Sequence, residues 1–253
     1  SIAIAPSNES IIYVGEGENT MRGNVSEGLD GMWKSTDDRK TWKNIGLKEA
    51  RHIVRLIVHP KNPDIVWAAV MGHLFGPNET RGVFKSIDGG QTWTSITIPS
   101  TLMSSGIDIT DIHFVNEQIG FVITTNGRVL KTTDQGVTWT MTQLQGSSYE
   151  LNELLFVDEN IGMAVGSLGE VYRTTDQGVT WTLIDTDVGL AYDIRMHNGV
   201  LYMVGNSRAF TRSTDLGATW SPVQTVTIPG GSTGIARMYA VTFRGSDILV
   251  AGE

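Results

Sequence analysis

The chain has no cysteine. Disulfides, cysteine-ligated zinc, iron–sulfur clusters and thiol catalysis are therefore all excluded. Charge is also scarce: 18% of the 253 residues are Asp, Glu, Lys or Arg, and 27 acids stand against 19 bases for a formal net charge of −8. Nucleic-acid and anionic-membrane binding both need clustered cations, so neither is expected. Long apolar runs are missing as well. The longest, Ile65 to Gly72, is far too short to span a bilayer, so no membrane insertion is expected. No signal peptide is visible, but Ser1-Ile-Ala-Ile-Ala already reads as a strand, so the chain is expected to begin inside a domain. What the sequence does have is 29 glycines and 40% hydrophobic residues, enough for a packed core and against disorder.

The dominant feature is an internal repeat. The motif Ser/Thr-x-Asp-x-x-x-Thr-Trp occurs five times, built on Asp37 and Trp42, Asp88 and Trp93, Asp134 and Trp139, Asp176 and Trp181, and Asp215 and Trp220. Successive Asp residues are 51, 46, 42 and 39 positions apart. Alternating segments precede each box (Gly82-Val-Phe-Lys-Ser86, Arg128-Val-Leu-Lys-Thr132) and follow it (Thr92-Trp-Thr-Ser-Ile-Thr97). Period-two patterning around an Asp/Gly turn is a hairpin signature. The carboxylate is expected to accept backbone N–H bonds inside the turn. Gly90, Gly136, Gly178 and Gly217 suit a positive φ at the fifth box position, where Arg39 stands in the first box and would be strained. Each Trp is a large apolar plug whose indole N–H needs an acceptor.

A second hairpin lies between boxes, as in Arg55-Leu-Ile-Val-His-Pro with Ile65-Val-Trp-Ala-Ala-Val, or Glu153-Leu-Leu-Phe-Val with Ile161-Gly-Met-Ala-Val. The unit is thus four antiparallel strands, A to D, with the box at the C–D turn, which is the spacing of a propeller blade. The expected fold is an all-β propeller with blades at about 1–46, 52–98, 107–144, 149–186 and 190–226 and a two-stranded half blade at 236–253. No helix is expected. The chain reads as a fragment of a longer array or an unusual closure, and self-association through open terminal blades is expected.

The boxes resemble the Asp-box, or BNR, repeats of sialidases, sortilin-like ectodomains and related propellers. Residues 1–98 resemble sortilin-like bacterial repeat proteins labelled glycosyl hydrolase, through Gly15-Glu-Gly-Glu18, Arg22-Gly-Asn24, Arg51-His52, His59-Pro-Lys-Asn-Pro-Asp64 and Gly72-His-Leu-Phe-Gly-Pro-Asn78. Residues 106–253 resemble the repeats of the photosystem II assembly and stability factor family, through Phe156-Val-Asp-Glu-Asn-Ile-Gly-Met-Ala-Val-Gly166 and Lys131-Thr-Thr-Asp-Gln-Gly. The resemblance implies an extracytoplasmic protein, secreted or periplasmic. It also implies that the box turns lie opposite the ligand face, which makes the five Asp residues structural. Only the first box has a second acid, Asp38, so calcium loops are not expected, and neither is any other metal or cofactor.

The ligand face would then carry the B–C loops. The longest follow Gly15 and Met71, and both mix acids, Arg, Asn and Gly. They nominate Arg22, Arg51, His52, His73, Asn78 and Arg81 as ligand-binding residues for a protein, peptide or glycan. Aligned strands A put Arg55, Asp111, Glu153 and Asp193 at one equivalent position. The three acids are the catalytic alternative, a carboxylate pair for glycoside hydrolysis; the bland reading makes them solvated strand ends or partners of Arg55 and Arg237. The sialidase reading fails on the absent Phe/Tyr-Arg-Ile-Pro motif and the mostly acidic strand-A positions. The five histidines show no metal-binding spacing, no Ser/His/Asp set can be selected, and Gly230-Gly231 lack the Lys and helix of a phosphate loop. The expected function is a non-catalytic binding or assembly platform, with glycoside hydrolase or lyase as the alternative and photosystem II assembly as a third reading.

Overall fold

The structure of the protein, a computed structural model, describes residues 1–17, 28, 30–72, 80–99, 101–102, 107, 109–116, 118–144, 150–167, 169–227 and 237–252. It is all-β apart from two single 3-10 turns, Lys48–Ala50 and Asn206–Arg208. Five antiparallel four-stranded sheets succeed one another along the chain. The first orders β1 (Ile2–Ile4), β2 (Ile12–Gly15), β3 (Met32–Ser35) and β4 (Lys43–Asn44); the second β5 (Ile53–Val58), β6 (Val66–Val70), β7 (Gly82–Ser86) and β8 (Thr94–Ile96). The third holds β9 (Ile109–Phe114), β10 (Gly120–Thr124), β11 (Arg128–Thr132) and β12 (Thr140–Gln143). The fourth holds β13 (Leu151–Phe156), β14 (Gly162–Gly166), β15 (Glu170–Thr174) and β16 (Thr182–Asp185). The fifth holds β17 (Ala191–His197), β18 (Val200–Gly205), β19 (Ala209–Ser213) and β20 (Gln224–Thr225), and a final hairpin pairs β21 (Met238–Arg244) with β22 (Asp247–Gly252). These are five propeller blades and a two-stranded half blade, each meandering from A to D.

The chain forms two compact units, Ser1–Val122 with Leu130–Met141, and Ile123–Val129 with Thr142–Glu253. In the first, Tyr13, Met32, Ile53, Val66 and Val70 form one core cluster, and Trp67, Val83, Ile109, Leu130 and Trp139 a second. Trp67 stacks on Phe114 with ring centroids 4.2 Å apart. In the second unit Met163, Val165, Ile194, Leu201 and Met203 belong to one core cluster. The B strands carry this burial: every residue of β6, β10 and β14 is buried. A central strand covered on both faces needs a continuous apolar run, which Val66-Trp-Ala-Ala-Val supplies. Strand β22 has the same apolar composition, yet Ile248 and Leu249 are exposed there.

Strand A is irregular at one recurring place. The register slips between Ile53 and Arg55, Leu151 and Glu153, Ala191 and Asp193, and Met238 and Ala240. A bulge inserts one residue and re-aims the side chains beyond it. It therefore fixes the direction of the aligned strand-A position.

Candidate functional site

The box turns are built alike. In the second box Asp88 Oδ1 accepts the Thr92 N–H at 2.9 Å and Ser86 Oγ–H at 2.8 Å, and Oδ2 accepts the Thr92 hydroxyl at 2.5 Å. Ser86 Oγ in turn accepts the Gly90 N–H at 2.8 Å. The same set recurs around Asp37, Asp134, Asp176 and Asp215. The Thr92 hydroxyl and amide hold the Asp88 carboxyl down at about 2, and Thr219 does the same for Asp215. The fifth-position residues are left-handed, from Gly178 at φ 72° to Gly90 and Gly136 at 91°, and Arg39 adopts φ 70° in its box. The fourth position is left-handed too, at Asp38, Gly89, Gln135, Gln177 and Leu216. That second strained position escapes sequence reading because its residue type varies. The tryptophans are less uniform than expected: Trp139 is buried, Trp93 donates to Ile45 O at 2.8 Å, Trp181 and Trp220 Nε1 have no acceptor, and Trp42 is 40% exposed. The box thus depends on its Asp and hydroxyl groups, while the Trp fills whatever space its blade offers.

Of the loop residues, Arg22, His73 and Asn78 lie outside the described residues. Arg51, His52 and Arg81 are brought together by backbone bonds. Gly28 N–H donates to Arg51 O at 2.8 Å, Met71 N–H to His52 O at 2.9 Å, and Arg81 Nε to Met71 O at 2.9 Å. Thr80 Oγ1 donates to Glu49 O at 3.0 Å. Glycine is required at position 17, where φ is 98° and a Cβ would sit 2.4 Å from Arg51 O. The described ends of the two long loops therefore meet at the residues leading into β5. His52 is fully buried and offers no surface to a ligand; it acts through its backbone. Arg51 sits at φ 55°, with Nη2 3.3 Å from Glu49 Oε2 and Nε without a hydrogen-bond partner. Glu16, not singled out by the sequence, closes the first loop. Its carboxylate accepts Trp33 Nε1–H at 2.6 Å and the Asp30 N–H at 3.0 Å.

The aligned acids are neither solvated nor free. Asp111 is 1% exposed and lies 3.1 Å from Arg55 Nε. Asp193 is 3% exposed, with Oδ1 3.1 Å from Arg195 Nη2 and Oδ2 accepting the Val241 N–H at 2.8 Å. Glu153 pairs with Nη1 of the same Arg195. One guanidinium therefore bridges two buried carboxylates, where a hydrolase pair needs an open face for water. Arg55, one of the expected partners, pairs with Asp111, and Arg195, which the sequence did not single out, pairs with Glu153 and Asp193. Its place two residues after Asp193, on the same strand face, was the available signal. Among the described residues no group of three or more His, Asp and Glu is placed to hold a metal, and no helix is long and apolar enough to cross a membrane.

The fold and its Asp-boxes define a BNR-type β-propeller. The family model of the photosynthesis system II assembly factor YCF48 matches residues 38–198, well over half the chain, and the chain belongs to that family. No curated protein matches the sequence. Among solved structures, an ancestral GH74 enzyme superposes with a TM-score of 0.67 at 14% identity over 99% of this chain, and the GH74 enzyme of Niastella koreensis at 0.64 and 18% over 87%. This chain spans 38% and 37% of those enzymes' lengths. YCF48 from Cyanidioschyzon merolae gives 0.48 at 13% identity, covering 99% of this chain and 91% of that one. At these identities the enzymes share the fold, and fold alone does not transmit activity.

Proposed function

We propose that the protein is a non-catalytic platform that binds a protein or peptide segment during assembly of a photosystem II-type complex. Membership of the assembly-factor family carries this reading. The paired strand-A acids support it, because Glu153 and Asp193 are both buried against Arg195 instead of opening onto a cleft. The binding face in this reading is the junction of the two long loops, where the Arg51 side chain is partly exposed and Arg81 is held on Met71 O. Arginine at such a junction suits a carboxylate or backbone carbonyls. The contributions of Arg22, His73 and Asn78 belong to the same proposal.

The test is a peptide array covering the lumenal segments of photosystem II subunits, probed with the intact chain. Hits are followed by anisotropy titration, and labelled xyloglucan serves as the enzyme control. Binding that falls at least tenfold in Arg51→Ala/Arg81→Ala, with no sugar released, is the expected result. Sugar release by the wild type that disappears in Glu153→Gln would establish the hydrolase instead.

A further inference from the structure

Strand β8 is the outer strand of the second sheet, paired to β7 as Val83↔Ile96, Phe84↔Ser95 and Lys85↔Thr94. Antiparallel residues alternate between bonding one neighbour and the other. In the first sheet Met32 occupies the place of Val83, and it bonds outward: its N–H donates to Gly46 O and its carbonyl accepts from Ile45, both at 2.8 Å. By the same phase Val83 and Lys85 bond Ile96 and Thr94. Ser95 between them turns its N–H and C=O away from the sheet.

A groove of about 500 Å³ runs along this edge, lined by Thr94, Ile96, Lys85, Ile87 and Val137 among others. Ile87 and Val137 stand 68% and 78% exposed beside it. Ile87 is not needed by its turn: the second box position is Thr at 36, 133, 175 and 214, and only the second box has Ile there. The floor is close-packed, since a Cβ on Gly136 would lie 2.7 Å from Ile96 Cγ2. The lining contains one cation, Lys85, and no acid. Outer strands are usually protected by charge or shortness. Strand β4 has Lys43 and two residues, β16 ends on Asp185, and β20 has two residues, whereas β8 (Thr94-Ser-Ile96) and β12 (Thr140-Met-Thr-Gln143) carry no charge, and of these two it is β8 that borders the groove.

We propose that β8 is a strand-addition site: an extended segment of a partner protein pairs antiparallel with it at Ser95, placing an apolar side chain against Ile96 and Val137 and a carboxylate, two residues later, toward Lys85. The order apolar-x-acid comes from the register, because an antiparallel chain passes Ile96 first and Thr94 last. This surface uses neither Arg51 nor Arg81, so it stands or falls separately from the loop-face reading.

The probe is the peptide acetyl-Thr-Val-Thr-Val-Thr-Glu-Thr-amide, titrated into the full chain with amide NMR. Saturable binding is expected, with at least tenfold slower hydrogen exchange at the Ser95 amide. Val137→Lys, or Lys in place of the peptide's Glu, should weaken binding at least tenfold. Ser95→Pro should abolish it while sparing the Thr94 and Ile96 bonds to β7. Should that variant misfold, methylating the nitrogen of the peptide Thr that faces Ser95 makes the same test on the wild type. No saturation at millimolar peptide, indifference to charge reversal or to N-methylation, or occupation of the groove by a xyloglucan oligosaccharide would each overturn the proposal.

Discussion

The ammonium of Lys85 lies 5.4 Å from the ring centroid of Trp67, its cross-strand neighbour. It also reaches Gln135 Oε1 in the next box turn at 3.0 Å. The arrangement recurs. Lys34 covers Tyr13 and approaches Gly89 O at 3.3 Å; Lys131 covers Phe121; and Arg173 Nε donates to Leu216 O at 2.8 Å. At Lys34 and Lys85 the basic residue just before a box thus ties its own B strand to the fourth position of the following box. That contact caps the left-handed turn residue from the neighbouring blade.

Lys85→Met keeps the apolar stem over Trp67 and removes the charge. It is expected to cost about 1 kcal/mol, the scale of a partly desolvated cation–π contact. For a chain of this size that lowers Tm by about 2–4 °C, readable by calorimetry. An unchanged Tm would reduce the contact to incidental packing.

The box carboxylates give the protein a defined acid limit. A carboxyl held at about 2 in the folded state, against an ordinary value near 4, stabilises the fold fully above pH 4. The contribution is lost as pH falls through 2, because the unfolded chain takes up the proton first. Tm should therefore decline steepest between about pH 4 and pH 2. Asp88→Asn should lower Tm at pH 7 by about 2–6 °C and flatten that decline. A parallel pH profile for the variant would show that other carboxylates set the limit.

Arg195→Met leaves Glu153 and Asp193 buried without their shared cation. Breaking a buried pair this way costs on the order of 3 kcal/mol at neutral pH. Arg195→Lys keeps the charge and should recover part of that loss in the denaturation midpoint. A Lys variant no more stable than the Met variant would mean that the guanidinium's geometry and packing, not its charge, is what matters.

The repeat itself was legible because each box is a local device. Asp, hydroxyl and glycine close one turn within eight residues, so their spacing survives in the sequence and announces a C–D hairpin wherever it occurs. The B strands were legible for a related reason: a strand covered on both faces must be apolar throughout. Sequence alone therefore determined the all-β class, the repeat and the turns closed by Asp37, Asp88, Asp134, Asp176 and Asp215. It did not determine the partners of Asp111, Glu153 and Asp193. They pair with Arg55 and Arg195, and pairing across neighbouring strands A depends on how bulges aim side chains that are far apart in the chain. Nor did it reveal that His52 is buried while Arg51 beside it is partly exposed, or that Ile87 and Val137 flank one groove. Those are consequences of blade stacking. Only the tertiary structure decides which of two adjacent polar residues faces water, because burial is a property of the neighbours rather than of the residue.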